Sequence, residues 1–120
     1  MYFEIFDYNT LKSALHNLCR GLREFNVPQD AVCDSKLVAD ELVSNALQHG
    51  GGKAYLTVEV TEDLISLRVK GAYAFSPPDE TMMVKVDAER GRGLYIIDAL
   101  VETRESSFDG GTFVTIRFER

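Results

Sequence analysis

Ala39, Leu42, Val43, Ala46 and Leu47 recur at i, i+3, i+4, i+7 and i+8, and three glycines, Gly50, Gly51 and Gly52, follow at once. That period puts five apolar side chains on one stripe of a helix running from about Gln29 to His49. The glycines end it, because they accept the positive φ of a C-cap without steric penalty and leave a mobile exit. A one-sided helix needs a surface to lie on, and the next residues supply one. Residues 54–60 and 64–69 alternate apolar with polar around Thr61, Glu62 and Asp63, which predicts a hairpin with one buried face.

The flanking segments fit the same plan. Tyr2, Phe3, Ile5 and Phe6 suit an opening strand, and Asn9 or Thr10 is placed to cap a helix whose apolar side is Leu11, Ala14, Leu18 and Leu22. Pro28 disfavours a helical residue before it, so a turn lies at Asn26 and Val27. Residues 71–90 lose all periodicity around Pro77 and Pro78, a stretch longer than most connections in compact domains and therefore functional or disordered. Helical spacing returns through Leu94, Ile97 and Leu100. A second hairpin follows, 101–108 and 112–118 about Asp109, Gly110 and Gly111. The order strand, two helices, hairpin, loop, helix, hairpin predicts an α+β fold with helices on one face of a mostly antiparallel sheet.

At 120 residues the chain fits one domain spanning 1–120. A net charge of −6 argues against nucleic acid, whose phosphates call for clustered Lys and Arg, and favours a protein partner or a small ligand. Cys19 and Cys33 have no second pair and no suitably spaced His, so they read as thiols of a reducing compartment rather than a disulfide or zinc site. No apolar run approaches the roughly 20 residues of a membrane span, and Glu4 and Asp7 are unlike a basic signal-peptide start. A cytoplasmic protein of bacterial type is the expectation.

Two polar islands interrupt the apolar pattern. Glu41 and Asn45 stand one helical turn apart beside the buried stripe, so carboxylate and amide project along one edge. Mg²⁺ takes oxygen ligands and keeps several waters, so an Asn oxygen with phosphate oxygens suits it, and Glu41 is placed to accept a proton from a hydroxyl nucleophile. The same pair also suits a plain solvated edge. Gly91-Arg92-Gly93 precedes the helix beginning at Leu94, where backbone N–H groups and the positive helix end attract phosphate, although glycines before a helix are also ordinary punctuation. Met82 and Met83, adjacent in the irregular loop, suit a cover over a pocket or partner.

Glu41-Leu42-Val43-Ser44-Asn45-Ala46 with His49-Gly50, then Phe75-Ser76-Pro77, Gly91-Arg92-Gly93-Leu94 and Gly110-Gly111-Thr112, together resemble the GHKL, or histidine-kinase-type, ATPases over residues 10–118. The likeness is strongest to the anti-sigma-factor serine/threonine kinases, regulators of transcription. It implies a two-layer α+β sandwich, a mostly antiparallel mixed sheet with three main helices on one face. It implies ATP and Mg²⁺ as ligands, Glu41 as general base and Asn45 on the metal. Gly91 and Gly93 would lie against the phosphates with Arg92 and Leu94 nearby, Thr112 near adenine, and residues 76–90 as a lid. Gly71 and Phe75 belong to the adenine-side turn. His49 matches a family position, although near a helix end it also simply favours the dipole. Partners implied are a sigma factor, its antagonist protein, or both, with no direct nucleic acid or membrane contact, and a homodimer by likeness to relatives.

One box departs from that pattern. The family turn runs Asp-x-Gly-x-Gly-Phe, and aligning it through Phe75 and Pro77 puts Lys70 at the aspartate and Ala72 and Ala74 at the glycines. The family carboxylate accepts a hydrogen bond from the adenine amine, whereas an ammonium only donates. This alignment predicts ATP binding weakened or lost, or a changed adenine pose. The competing expectation is that Lys70 snorkels to solvent and Gly71 lets the chain reach the base by another route. The two function classes are accordingly an ATP-dependent kinase of an antagonist protein and a non-catalytic partner-binding module of the same fold.

Overall fold

The computed structural model describes residues 1–49, 51–71, 97, 99–106 and 111–119. Strand β1 (Tyr2–Ile5) leads into helix α1 (Tyr8–Glu24) and helix α2 (Gln29–His49), followed by strands β2 (Ala54–Val60), β3 (Leu64–Gly71), β4 (Thr103–Ser106) and β5 (Thr112–Arg117). The strands form one sheet in the order β1-β2-β3-β5-β4, antiparallel at every described pair, so the mixed character expected of the sheet does not occur among the described strands. Two helices are described in full. Of the third, Ile97, Ala99 and Leu100 are helical.

Asp7, rather than Asn9 or Thr10, caps α1. Its extended backbone (φ −157°, ψ −180°) aims Oδ1 at the Thr10 amide, which donates to it at 2.7 Å, while Thr10 Oγ1 accepts from the Asp7 amide at 3.0 Å. Thr10 is thus the third-residue partner of a capping box, and the bonds hold the Asp7 carboxyl below its ordinary range, the amide bond from Thr10 most. At the other end Asn26 takes a positive φ of 62°, which a short polar side chain tolerates, and reverses the chain before Pro28. Helix α2 ends as its glycines demand, with Gly51 and Gly52 at φ 90° and 79° and the Gly52 amide donating to the Leu47 carbonyl at 3.1 Å.

Strand alternation divides the sheet into two faces. Ala54, Leu56 and Val58 of β2, Ile65, Leu67, Val69 and Gly71 of β3, and Thr112, Val114 and Ile116 of β5 are buried toward the helices. Against them α2 lays Val38, Ala39, Leu42, Val43 and Ala46, and α1 adds Leu11, Leu15, Leu18 and Leu22. Leu47, the last residue of the predicted stripe, is only partly buried but packs on this core. Each fully buried leucine, isoleucine or valine contributes about 1.5–3 kcal/mol relative to exposure, and this single cluster is what fixes α2 across the sheet.

Ser35 is the polar exception inside the helix layer. It is fully buried, and its hydroxyl finds no hydrogen-bond partner among the described residues. An unmet buried hydroxyl costs about 1–3 kcal/mol, and alanine is also the better helix former. Ser35→Ala is therefore expected to raise the unfolding free energy by about 1–2 kcal/mol, read as a higher guanidinium midpoint with an unchanged slope. A lower midpoint would mean that the hydroxyl does hold a bond.

Candidate functional site

The register gathers one end of the sandwich. β2 begins where α2 stops, Ala54 pairs with Gly71 at the end of β3, and Thr112 at the start of β5 pairs with Val69. The C-terminal turns of α2, the foot of β3 and the head of β5 therefore share one edge of the molecule.

Glu41 and Asn45 lie on those α2 turns, both half-buried beside Leu42 and Ala46. Burial raises the Glu41 carboxyl above its ordinary range, and the neighbouring Asp40 charge raises it further. Asp40 is itself engaged, as its Oδ1 accepts from Ser44 Oγ at 3.4 Å. A carboxylate that binds its proton more readily than a free glutamate is a better proton acceptor near neutral pH. Asn45 offers one amide oxygen. No group of three or more His, Cys, Asp or Glu able to hold a metal occurs among the described residues. The donor set thus suits Mg²⁺ shared between one amide oxygen, a nucleotide's phosphates and water, not an all-protein cage.

Thr112 is buried and faces the helices, and Gly71 is buried as the last residue of β3. His49 is exposed at the last position of α2. Four of the expected residues, Glu41, Asn45, Gly71 and Thr112, thus fall at one end, with His49 closing the helix that carries the first two. Phe75, Gly91, Arg92, Gly93 and Leu94, the expected lid and Met82 and Met83 lie outside the described residues.

Lys70 requires a correction. It is exposed on the face of the sheet away from the helices, between inward-facing Val69 and Gly71 and opposite Tyr55 of β2. A strand turns alternate side chains to opposite faces, so Lys70 cannot confront a base lying between α2 and the sheet. The residue of this segment that faces that space two positions before a glycine is Val69, 2% exposed. A base lying there would meet the Val69 isopropyl group, which takes the place of the family carboxylate if Asp-x-Gly is set on Val69-Lys70-Gly71. The signal was present in the alternation of Ile65, Leu67 and Val69, and the downstream anchors Phe75 and Pro77 obscured it.

An antiparallel sheet covered on one face by helices is the architecture of the histidine-kinase ATPase class. The chain belongs to the family of histidine kinase-like ATPase domains, which it matches over residues 6–118. Among solved structures it is similar to a chain of the SiaB–SiaC complex from Pseudomonas aeruginosa, at 15% identity and a TM-score of 0.58, covering 98% of this chain and 88% of that one. No curated protein matches it. No described helix is long and apolar enough to cross a membrane.

Proposed function

We propose that this domain is a partner-switching regulator that binds an antagonist protein and phosphorylates a serine or threonine on it with ATP, within a cytoplasmic circuit of bacterial transcription control. The observation that carries this reading is the placement of half-buried Glu41 and Asn45 at the same end of the sheet as Thr112 and Gly71. In that role Asn45 would hold Mg²⁺, which neutralises phosphate charge when bound. The substrate hydroxyl oxygen forms its bond to the terminal phosphorus as the bond to ADP breaks, and its proton passes to Glu41. The likeness to a complex-forming chain at the level of fold is consistent with a protein partner.

Val69 favours a second reading, in which the fold and its partner surface persist without phosphoryl transfer. Melting the full chain with Mg-ATP and with Mg-ADP separates the two. The kinase reading predicts weak binding, with a midpoint that rises only as nucleotide reaches millimolar levels. A ligand at ten times its dissociation constant adds about 1.4 kcal/mol, enough for a shift of several degrees. A midpoint indifferent to millimolar nucleotide would reject the kinase and leave the binding module.

A further inference from the structure

The two helices leave between them, on the side away from the sheet, a groove of about 370 Å³ that has no part in the nucleotide site. Residues 12, 16, 19 and 23 of α1 and 29, 32, 33 and 36 of α2 line it at helical spacing. Its floor is apolar, formed by Leu15, Cys19 and Val32, all buried. Its rim carries the cations Lys12, Arg23 and Lys36 beside the His16 imidazole, and no carboxylate among the described residues lines it. Arg23 Nε is steadied by Gln29 Oε1 at 3.2 Å, and Lys12 Nζ lies 5.3 Å from the centre of the Tyr8 ring. Among the described residues the rim cations form no salt bridge; the ion pairs described there join Arg117 to Asp63 and Glu102.

A basic groove on a chain of net charge −6 is charge placed against the overall field of the protein. We propose that this groove docks an acidic amphipathic helix of a partner protein, with apolar side chains on Leu15, Cys19 and Val32 and carboxylates on the Lys12, Arg23 and Lys36 rim. The proposal rests on the reading that the domain engages a protein partner, but not on nucleotide binding. Lys12 and Arg23 of α1 stand eleven positions apart, about 16 Å, the length of a three-turn helix. Such a helix seats its apolar stripe in a groove and its charges on the flanks. The apolar floor sets this apart from a free-anion site, and the net negative charge opposes a nucleic acid or an anionic bilayer. The occupant is read from the groove itself, whose Lys12, Arg23 and Lys36 rim complements carboxylates flanking an apolar stripe, and a second copy of the chain is an outcome of the test.

The test uses the full chain without nucleotide and a fluorescein-labelled acidic peptide of about twelve residues, with leucines at i, i+4 and i+7 and glutamates beside them, against a scrambled peptide of the same composition. Anisotropy is expected to show the patterned peptide binding at least about tenfold more tightly than the scrambled one, and less tightly as salt rises. Amide shifts on binding should concentrate in residues 12–23 and 29–36. Lys12→Glu with Lys36→Glu should weaken binding at least about tenfold, whereas Arg68→Glu, on the outer sheet face, should leave it unchanged. All three side chains are exposed, and thermal melts verify the fold. Equal binding of the two peptides, shifts confined to the sheet face, or indifference to the double reversal overturns the proposal. So does a concentration-dependent dimer in sedimentation that Lys36→Glu abolishes, since the groove would then hold a second copy. Loss of the nucleotide response with retained peptide binding rejects the kinase reading alone.

Discussion

Replacing Glu41 with glutamine is expected to slow phosphoryl transfer to an antagonist protein by about a hundred- to ten-thousandfold, the range of a positioned general base. The substitution keeps the size and the half-buried position of the side chain and removes only its proton-accepting charge, so the response of the melting midpoint to Mg-ATP should be the same in the variant as in the unaltered chain. Stability should move the other way from activity. Burial, then Asp40, raises the Glu41 carboxyl in the folded state above the ordinary glutamate value of 4.5. A raised acid stabilises the fold while protonated, below that ordinary value, and this contribution is lost as pH climbs through the folded-state value. At neutral pH the charged Glu41 therefore weighs against folding, and Glu41→Gln should melt higher there, with the difference closing as pH falls below about 4.5. Asp40→Asn serves as the control. It should lower the Glu41 carboxyl toward its ordinary value and shift the acidic limb of the pH–rate profile downward without abolishing transfer. Should Glu41→Gln retain the full rate while Asp40→Asn loses it, the base would be Asp40.

Residue pattern alone determined α2 to its observed ends, because five apolar positions at helical spacing meet three glycines and no competing signal intervenes. The central hairpin was legible for the same reason, an unbroken alternation that pins its register. The cap of α1 was not. Asp7, Asn9 and Thr10 can all cap a helix, and only the backbone angles at Asp7 decide among them. The exposure of Lys70 agrees with the expectation that it reaches solvent, and that its side chain faces away from the helices follows from strand parity, which spacing from Phe75 and Pro77 does not reveal. The alternation that makes the hairpin visible also marks Val69 as inward-facing and Lys70 as outward-facing. The groove between α1 and α2 was hidden more deeply. Each helix shows its own spacing, but nothing in the linear chain says that Lys12 and Lys36 will line one groove until the antiparallel packing of the two helices is known.

Val69 supplies the other large expectation. Adenine presents an exocyclic amine that needs an acceptor, and the inward side chain at this place in β3 is a buried valine that offers none. An unpaired polar group costs about 1–3 kcal/mol, so Val69→Asp should tighten Mg-ATP by about ten- to a hundredfold in calorimetric titration, and Lys70→Asp, on the opposite face, should change it by less than about twofold. Because a new carboxyl in this core also lowers stability, Val69→Thr provides the gentler version, nearly isosteric and bearing one acceptor oxygen, with an expected gain of about fivefold. Discrimination between bases gives a further reading that loss of stability cannot imitate. A site without an acceptor separates ATP from GTP poorly, because neither base leaves a protein group unpaired. Val69→Asp should favour ATP by at least about tenfold, since a carboxylate accepts from the adenine amine and repels the guanine carbonyl oxygen. Tightening by Lys70→Asp with no response at Val69 would place the base on the outer face of the sheet, contrary to the packing of α2. The predicted order, aspartate above threonine above valine at position 69 with position 70 silent, thus tests strand parity, the location of the adenine end and the expected weakening of nucleotide binding together.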